Sequence, residues 1–285
     1  MRALSIVPAA LILLAAPAVA QQAVPTNAGD DLLTRETVTV GAGVATIPSY
    51  EGADNNRLIP IVAARGTIEG FNFSVQGTKL FVDVVRDRDR DGGLDIQLGP
   101  VAGFNAYRTS RKTINDDQVE ALGKLDTSIE LGGYAGIGKT GVITSAYDTL
   151  AVNVTYVHDV ANAHDSYTIT PAVTYGTPLS RKAYVGLSGS VTYAGNGYAR
   201  TYFSVTPAGS LASGLPVYNA RGGWKNYTLG ALGTYSLTGD LLHGFKLVAG
   251  GTYRRMLNDF GDSPLVSIAG SRTQWLGAVG LAYTF

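Results

Sequence analysis

Between residues 94 and 107 the chain alternates: Leu94, Ile96, Leu98, Ala102, Phe104 and Ala106 share one parity, and Asp95, Gln97, Gly99, Gly103 and Asn105 the other. A two-residue period is that of a β-strand with two unlike faces. It returns at 148–158, where Leu150, Val152, Val154 and Tyr156 oppose Thr149, Asn153 and Thr155. It returns again at 167–176, 183–193, 225–237 and 245–253. Read along its length, the chain predicts about twelve strands, near 37–47, 57–66, 68–76, 78–85, 94–107, 126–138, 148–158, 166–177, 182–194, 222–237, 243–255 and 273–285. The first four alternate poorly, and ten or fourteen strands fit the pattern nearly as well.

Connections alternate too, short at 178–181 and 239–242 and long at 108–125, 195–221 and 256–272. Strands of about 10 to 13 residues exceed the usual soluble strand and suit a tilted membrane crossing. Even strand number, short turns on one side, long loops on the other and apolar-out alternation together predict an all-β transmembrane antiparallel up-and-down barrel. A soluble sandwich or propeller also uses alternating strands, but no internal repeat supports a propeller. In the last segment Trp275, Val279, Leu281, Tyr283 and Phe285 oppose Ala278, Gly280, Ala282 and Thr284, so the closing strand runs to the final ring.

Composition narrows this picture. The 285 residues hold 36 Gly and 16 Tyr with only 15% charged residues, and the mean hydropathy is positive. Beyond residue 20 no window of about 18 residues is continuously apolar, which excludes a helical membrane bundle. Residues 1–20, with Arg2, an apolar stretch broken by Pro8 and Pro17, and Ala18-Val19-Ala20 before Gln21, read as a cleaved signal peptide. Residues 21–35 are then a periplasmic N-terminal segment, and 36–285 the outer-membrane barrel. There is no cysteine, hence no disulfide framework, thiolate metal site or lipid-modified N-terminal cysteine. Lys+Arg and Asp+Glu are both 22, so bulk charge offers nothing to nucleic acid.

Candidate chemistry is sparse. From Asp87, the run Arg86, Asp87, Arg88, Asp89, Arg90, Asp91 and Gly92 has the first, third, fifth and sixth residues of a calcium loop. Its twelfth position is Leu98, where a bidentate Glu is required. The segment reads instead as a charged periplasmic turn, a candidate partner contact. His158-Asp159 and His164-Asp165-Ser166 carry the residue types of a base oriented by a carboxylate. Without a nucleophile elbow or further ligands they read as solvated loop residues, with no catalytic or metal site and no cofactor. Asp262-Ser263-Pro264 reads as a turn leading into proline. The inward parity is rich in Gly, Ser and Thr and carries Asp95, Glu130, Lys246 and Arg254.

Particular words of the sequence then resemble a known family. Pro48-Ser49-Tyr50-Glu51-Gly52 is similar to the P-x-Y-x-G signature of the MipA/OmpV family of MltA-interacting outer-membrane proteins. Tyr202-Phe203-Ser204-Val205 resembles that family's Tyr-Phe-Gly-Val loop, with Ser204 departing from the glycine. Asp262-Ser263-Pro264 and the Tyr283-Thr284-Phe285 ending also match family positions. The resemblance implies an integral outer-membrane barrel without catalytic residues, its closing strand read by the barrel-assembly machinery. It implies a non-enzymatic scaffold for periplasmic murein synthesis and hydrolysis, joining a lytic transglycosylase to a penicillin-binding protein. The alternatives are a small pore or uptake channel, suggested by the polar inner parity, and an outer-surface adhesin using Tyr198, Tyr202, Phe203 and Tyr218.

Overall fold

In a computed structural model, residues 37–86 and 94–285 are described. The signal peptide, the 21–35 segment and the turn residues Asp87, Arg88, Asp89, Arg90 and Asp91 lie outside them. The described chain forms twelve strands: β1 (Val38–Pro48), β2 (Asn56–Ile68), β3 (Phe71–Gln76), β4 (Lys79–Val82), β5 (Leu94–Asn105), β6 (Ser128–Thr140), β7 (Thr149–Asp159), β8 (Tyr167–Pro178), β9 (Ala183–Ala194), β10 (Gly223–Ser236), β11 (Gly244–Met256) and β12 (Thr273–Thr284). Each pairs antiparallel with its sequence neighbours, and β12 closes onto β1. The poorly alternating region yields the two shortest strands, β3 and β4, of 6 and 4 residues. Closure joins the first and last strands, but β3 meets β2 only at Arg65–Ile68, so among the described pairings the far-rim part of β2, Asn56–Ala64, is held by β1 alone.

Alternation sorts the two faces. Leu58 and Trp275 are each 66% exposed, and Val62, Leu94, Ile96, Leu229 and Leu281 also point outward. An apolar exterior this continuous suits lipid and would aggregate in water. Outward rings follow one another around half the wall: Tyr156, Tyr167, Tyr193 and Trp224 meet at centroid distances of 5.8, 6.4 and 5.6 Å, and Tyr227, Tyr253 and Trp275 at 6.0 and 4.9 Å. A smaller set, Phe245, Tyr283 and Phe285, sits at the other end, with successive centroids 4.8 Å apart. Such paired aromatic bands mark the two interfaces of a bilayer.

The ends of the barrel differ. The near rim carries the start of β1, the end of β12 and turns such as 141–148, 179–182 and 237–243; Phe285 is tied there by its amide to the Val38 carbonyl at 2.9 Å. The far rim carries the longer loops and every α-helix among the described residues: α1 (Asp117–Ala121), α2 (Asn196–Phe203), α3 (Pro207–Ser213), α4 (Asn258–Asp262) and α5 (Pro264–Ser267). Local sequence starts three of these helices, α1, α3 and α5. Asp116 accepts from the Val119 amide at 2.8 Å, Thr206 from Gly209 at 3.0 Å, and Pro207 and Pro264 occupy first-turn positions.

Candidate functional site

The far-rim loops pack into a lid. One apolar cluster holds Tyr198, Phe203, Met256 and Phe260; a second holds Tyr50, Val205, Leu215 and Leu265, and Tyr218 touches both. Full burial of side chains this size stabilises by about 1.5–3 kcal/mol each. Tyr50 is the pin: fully buried, it donates from its hydroxyl to the Leu265 carbonyl at 3.2 Å and the Ala269 carbonyl at 2.5 Å. Gly52 has φ +98°, and a Cβ there would lie 2.4 Å from Val266 Cγ2, so glycine is required twice over. Ser263 donates to the Phe203 carbonyl at 2.6 Å and caps α5. The short motifs that stood far apart in sequence therefore meet in one lid.

Beneath the lid lies a layer of charge. Lys225 Nζ donates to Glu51 Oε1 at 2.7 Å and to the Tyr198 hydroxyl at 3.0 Å, with its ammonium 4.5 Å from the Tyr198 ring centroid. The Tyr198 hydroxyl donates to Glu51 Oε2 at 2.6 Å. Burial disfavours the Glu51 carboxylate, but the Lys225 and Arg254 charges and these hydrogen bonds override it and hold its pKa below the ordinary value. Lys225 reaches this place through a β-bulge: Trp224 pairs Tyr193 and Asn226 pairs Thr192, leaving Lys225 as the extra residue. Regular alternation would have sent either Lys225 or Asn226 outward; both are buried.

A second pair, Lys79 Nζ to Glu130 Oε2 at 2.7 Å, is equally buried. His164 Nε2 lies 3.3 Å from Ser128 Oγ and 4.0 Å from Glu130 Oε1, and its ring packs against Tyr198 and Tyr202 at 5.1 and 5.7 Å. Glu51, Asn105, Tyr107, Glu130, Lys225 and Arg254 line a cavity of about 10 Å³, room for about one water. Asn153, Thr155, Thr170, Ser188, Ser190 and Gly250 face inward yet keep partial solvent access.

Near the other rim Tyr184, Ser236, Lys246 and Thr284 are buried again, while Asp95 and Gln97 on β5 stay partly exposed. Lys246 donates to the Leu241 carbonyl and to Thr284 Oγ1, and Thr284 hydrogen-bonds Thr39 at 2.7 Å. Arg65 is the β2 partner of Thr39, so it shares this inward row.

The structure corrects several sequence expectations. His164, Asp159 and Ser166 are buried, not solvated. The physical reason is that the Asp159 carboxylate accepts from the His164, Asp165 and Ala161 amides at 2.7, 3.1 and 3.1 Å and folds their loop under the lid. Tyr198, Tyr202 and Phe203 are also buried, and the hydroxyl of partly buried Tyr218 donates to the Asp259 carbonyl. Those rings build the lid and are not the outward contacts an adhesin requires. Asp95, Glu130, Lys246 and Arg254 do face inward. Of the charged turn only Arg86 is described; it is exposed, its guanidinium 4.6 Å from the Phe71 centroid. Asp262 pairs with Arg272 on the surface. What sequence reasoning missed is the meeting of Glu51, Tyr198 and Lys225 in one buried unit. One signal was present: Lys225 and Asn226 stand side by side between Trp224 and Tyr227, a break in alternation typical of a bulge.

A family model described as MltA-interacting protein MipA matches residues 40–285. No match is found among curated proteins. Similar solved structures include an outer membrane channel from Pseudomonas putida, 12% identical over 93% of this chain and 97% of that one, with a TM-score of 0.41. Another is a FadL homologue from Pseudomonas aeruginosa, 10% identical over 89% and 91%, with a TM-score of 0.30. Likeness at this distance carries no function with it.

Proposed function

The chain belongs to the MipA family, and from that premise we propose that it is an integral protein of the outer membrane that acts as a scaffold for murein enzymes at its near rim. The observation that carries the reading is the asymmetry of the ends. Short turns, the start of β1 and the end of β12 share one rim, as on the periplasmic side of outer-membrane barrels, while the elaborate lid occupies the other. The apolar wall and its two aromatic bands support insertion in lipid. The family description supports a murein hydrolase of the MltA type as one partner; a penicillin-binding protein would be a second, and the barrel-assembly machinery would read the strand ending in Phe285.

Two near-rim surfaces are available. One is the turn of Arg86, Asp87, Arg88, Asp89, Arg90 and Asp91, whose alternating charges suit steering of a partner. The other is the 141–148 turn, which is built to hold its shape. The Asp148 carboxylate accepts from the Val142 and Ile143 amides at 2.7 and 2.9 Å, from the Thr144 amide, and from the Tyr175 hydroxyl at 3.0 Å. Burial opposes its ionisation, but these donors hold its pKa well below the usual carboxylate range. The turn so fixed displays Ile143 at 65% and Tyr147 at 56% exposure, a preorganised apolar hook.

Capture of a purified lytic transglycosylase by the folded barrel tests this. Replacing residues 86–91 by Gly and Ser, or Ile143 and Tyr147 by Ser, is expected to cut capture at least tenfold while the heat-modifiable folded band on a gel persists. Undiminished capture by both folded variants would remove these contacts, and no capture by the intact barrel would remove the scaffold reading.

A further inference from the structure

Three features of the interior belong together and have no part in a scaffold: a hollow middle, a sealed far end and a polarised near end. We propose that the lid is a gate, latched by Glu51, Tyr198 and Lys225, and that opening it makes the barrel a conduit for small zwitterionic solutes.

The hollow middle is the first support. Eight strands leave an interior that side chains just fill, whereas sixteen enclose an aqueous channel. Twelve strands lie between, and here Gly, Ser, Thr and Asn remain partly exposed at inward positions of β7, β8, β9 and β11, facing the apolar set Ile59, Ile61 and Leu276 across the barrel. A barrel selected only as a platform has no need of that space. The belt above it, by contrast, is fully packed: Asn105, Ser128, Thr168, Thr192, Asn226 and Thr228 are all buried beneath the lid. The fuller obstruction is at the lid end; near the other rim Tyr184, Ser236, Lys246 and Thr284 are buried again, while Asp95 and Gln97 keep partial access.

The latch is the second. Its three groups come from the β1–β2 loop, α2 and the β10 bulge, and they meet at 2.6–3.0 Å. A buried ion pair adds little net stability over apolar residues of equal volume, so a permanent plug gains nothing from one. What such a pair does well is select one arrangement and make its partial loss costly, since either charge left alone is unpaired in a dry site. Bulges are found where a side chain must be re-aimed, and this one aims Lys225 at Glu51.

The third concerns what would pass. Asp95 faces the lumen from β5 and Lys246 from β11, with Arg65 on β2 three strands from each. In the closed ring β5 and β11 stand six strands apart out of twelve, on facing walls. Negative charge on one wall and positive on the other set up a field across the lumen, which orients a small molecule carrying both signs and slows one carrying a single net charge.

Purified full-length barrel in planar bilayers and liposomes tests the gate. The native protein is expected to be closed with rare openings. Glu51→Lys and Lys225→Glu should each raise the open fraction at least tenfold, and the double exchange Glu51→Lys/Lys225→Glu should return it towards the native value. Should a charge variant fail to fold, Tyr198→Phe removes one latch bond at constant shape and should open the gate to a smaller degree. In the unlatched barrel, liposome swelling should be faster in glycine than in lactate or glycolamide, and Asp95→Asn with Lys246→Met should abolish that preference. Folded single variants as silent as the native protein, or a double variant no different from the singles, overturn the latch. An unlatched barrel that admits all three solutes alike overturns the assignment of the solute.

Discussion

His164 shows how a single residue couples the lid to pH. Burial lowers its pKa below the ordinary 6.5, outweighing the attraction of Asp159 and Glu130, so the ring is neutral in the folded lid. Above pH 6.5 the folded and unfolded forms are both neutral and the group adds no slope. As pH falls through 6.5 the unfolded loop takes up a proton that the folded one resists, and stability is lost. The protection factors of the α2 amides, observed exchange referred to the intrinsic rate at each pH, should therefore fall between about pH 7 and 5.5. His164→Phe, which keeps the packing against Tyr198 and Tyr202, should flatten that dependence. An unchanged slope in the variant would assign it to another group. Neither the burial nor the slope was legible in sequence, because His164 sits in a loop whose depth is set by Asp159 and by Tyr198 and Tyr202, 34 and 38 positions further on.

Among elements, the β1–β12 seam is the most exacting. Gly43 faces Gly280 directly, and a Cβ on Gly43 would lie 2.3 Å from the Val279 carbonyl oxygen. Gly43→Val is expected to prevent closure and remove the heat-modifiable band, while Gly233→Ala on β10, with its nearest neighbour atom at 3.8 Å, should leave it intact. A folded Gly43→Val barrel would show that the seam can widen. Strands were the most legible part of this protein. Period-two alternation is a local property, and Leu94 to Asn105 reveals it without reference to anything else. The lid helices were less so: α2 and α4 are short, lack side-chain caps and exist because Phe203 and Phe260 pack against each other across 57 positions, their centroids 5.1 Å apart. The bulge was legible only as a broken rhythm, and what it was broken for, the carboxylate of Glu51, lies 174 positions away.

For the whole molecule, the two rims make opposite demands on their surroundings, and the absence of cysteine offers a way to read them. Leu211→Cys on α3, at a site 91% exposed on the far rim, should react with a membrane-impermeant maleimide on intact cells. Ile143→Cys on the near rim should react only after the outer membrane is permeabilised. The reverse result would invert the orientation argued from loop length. The lid has one more consequence, in time. Its central pin joins Tyr50 to Leu265 across 215 positions, and Gly52 accepts from the Ser271 amide, so the first hairpin completes the lid only with the last. Contacts of such sequence separation form late. A chain stalled before its final hairpin keeps the apolar faces of its cap unmatched, and seating the last strand hides them all at once.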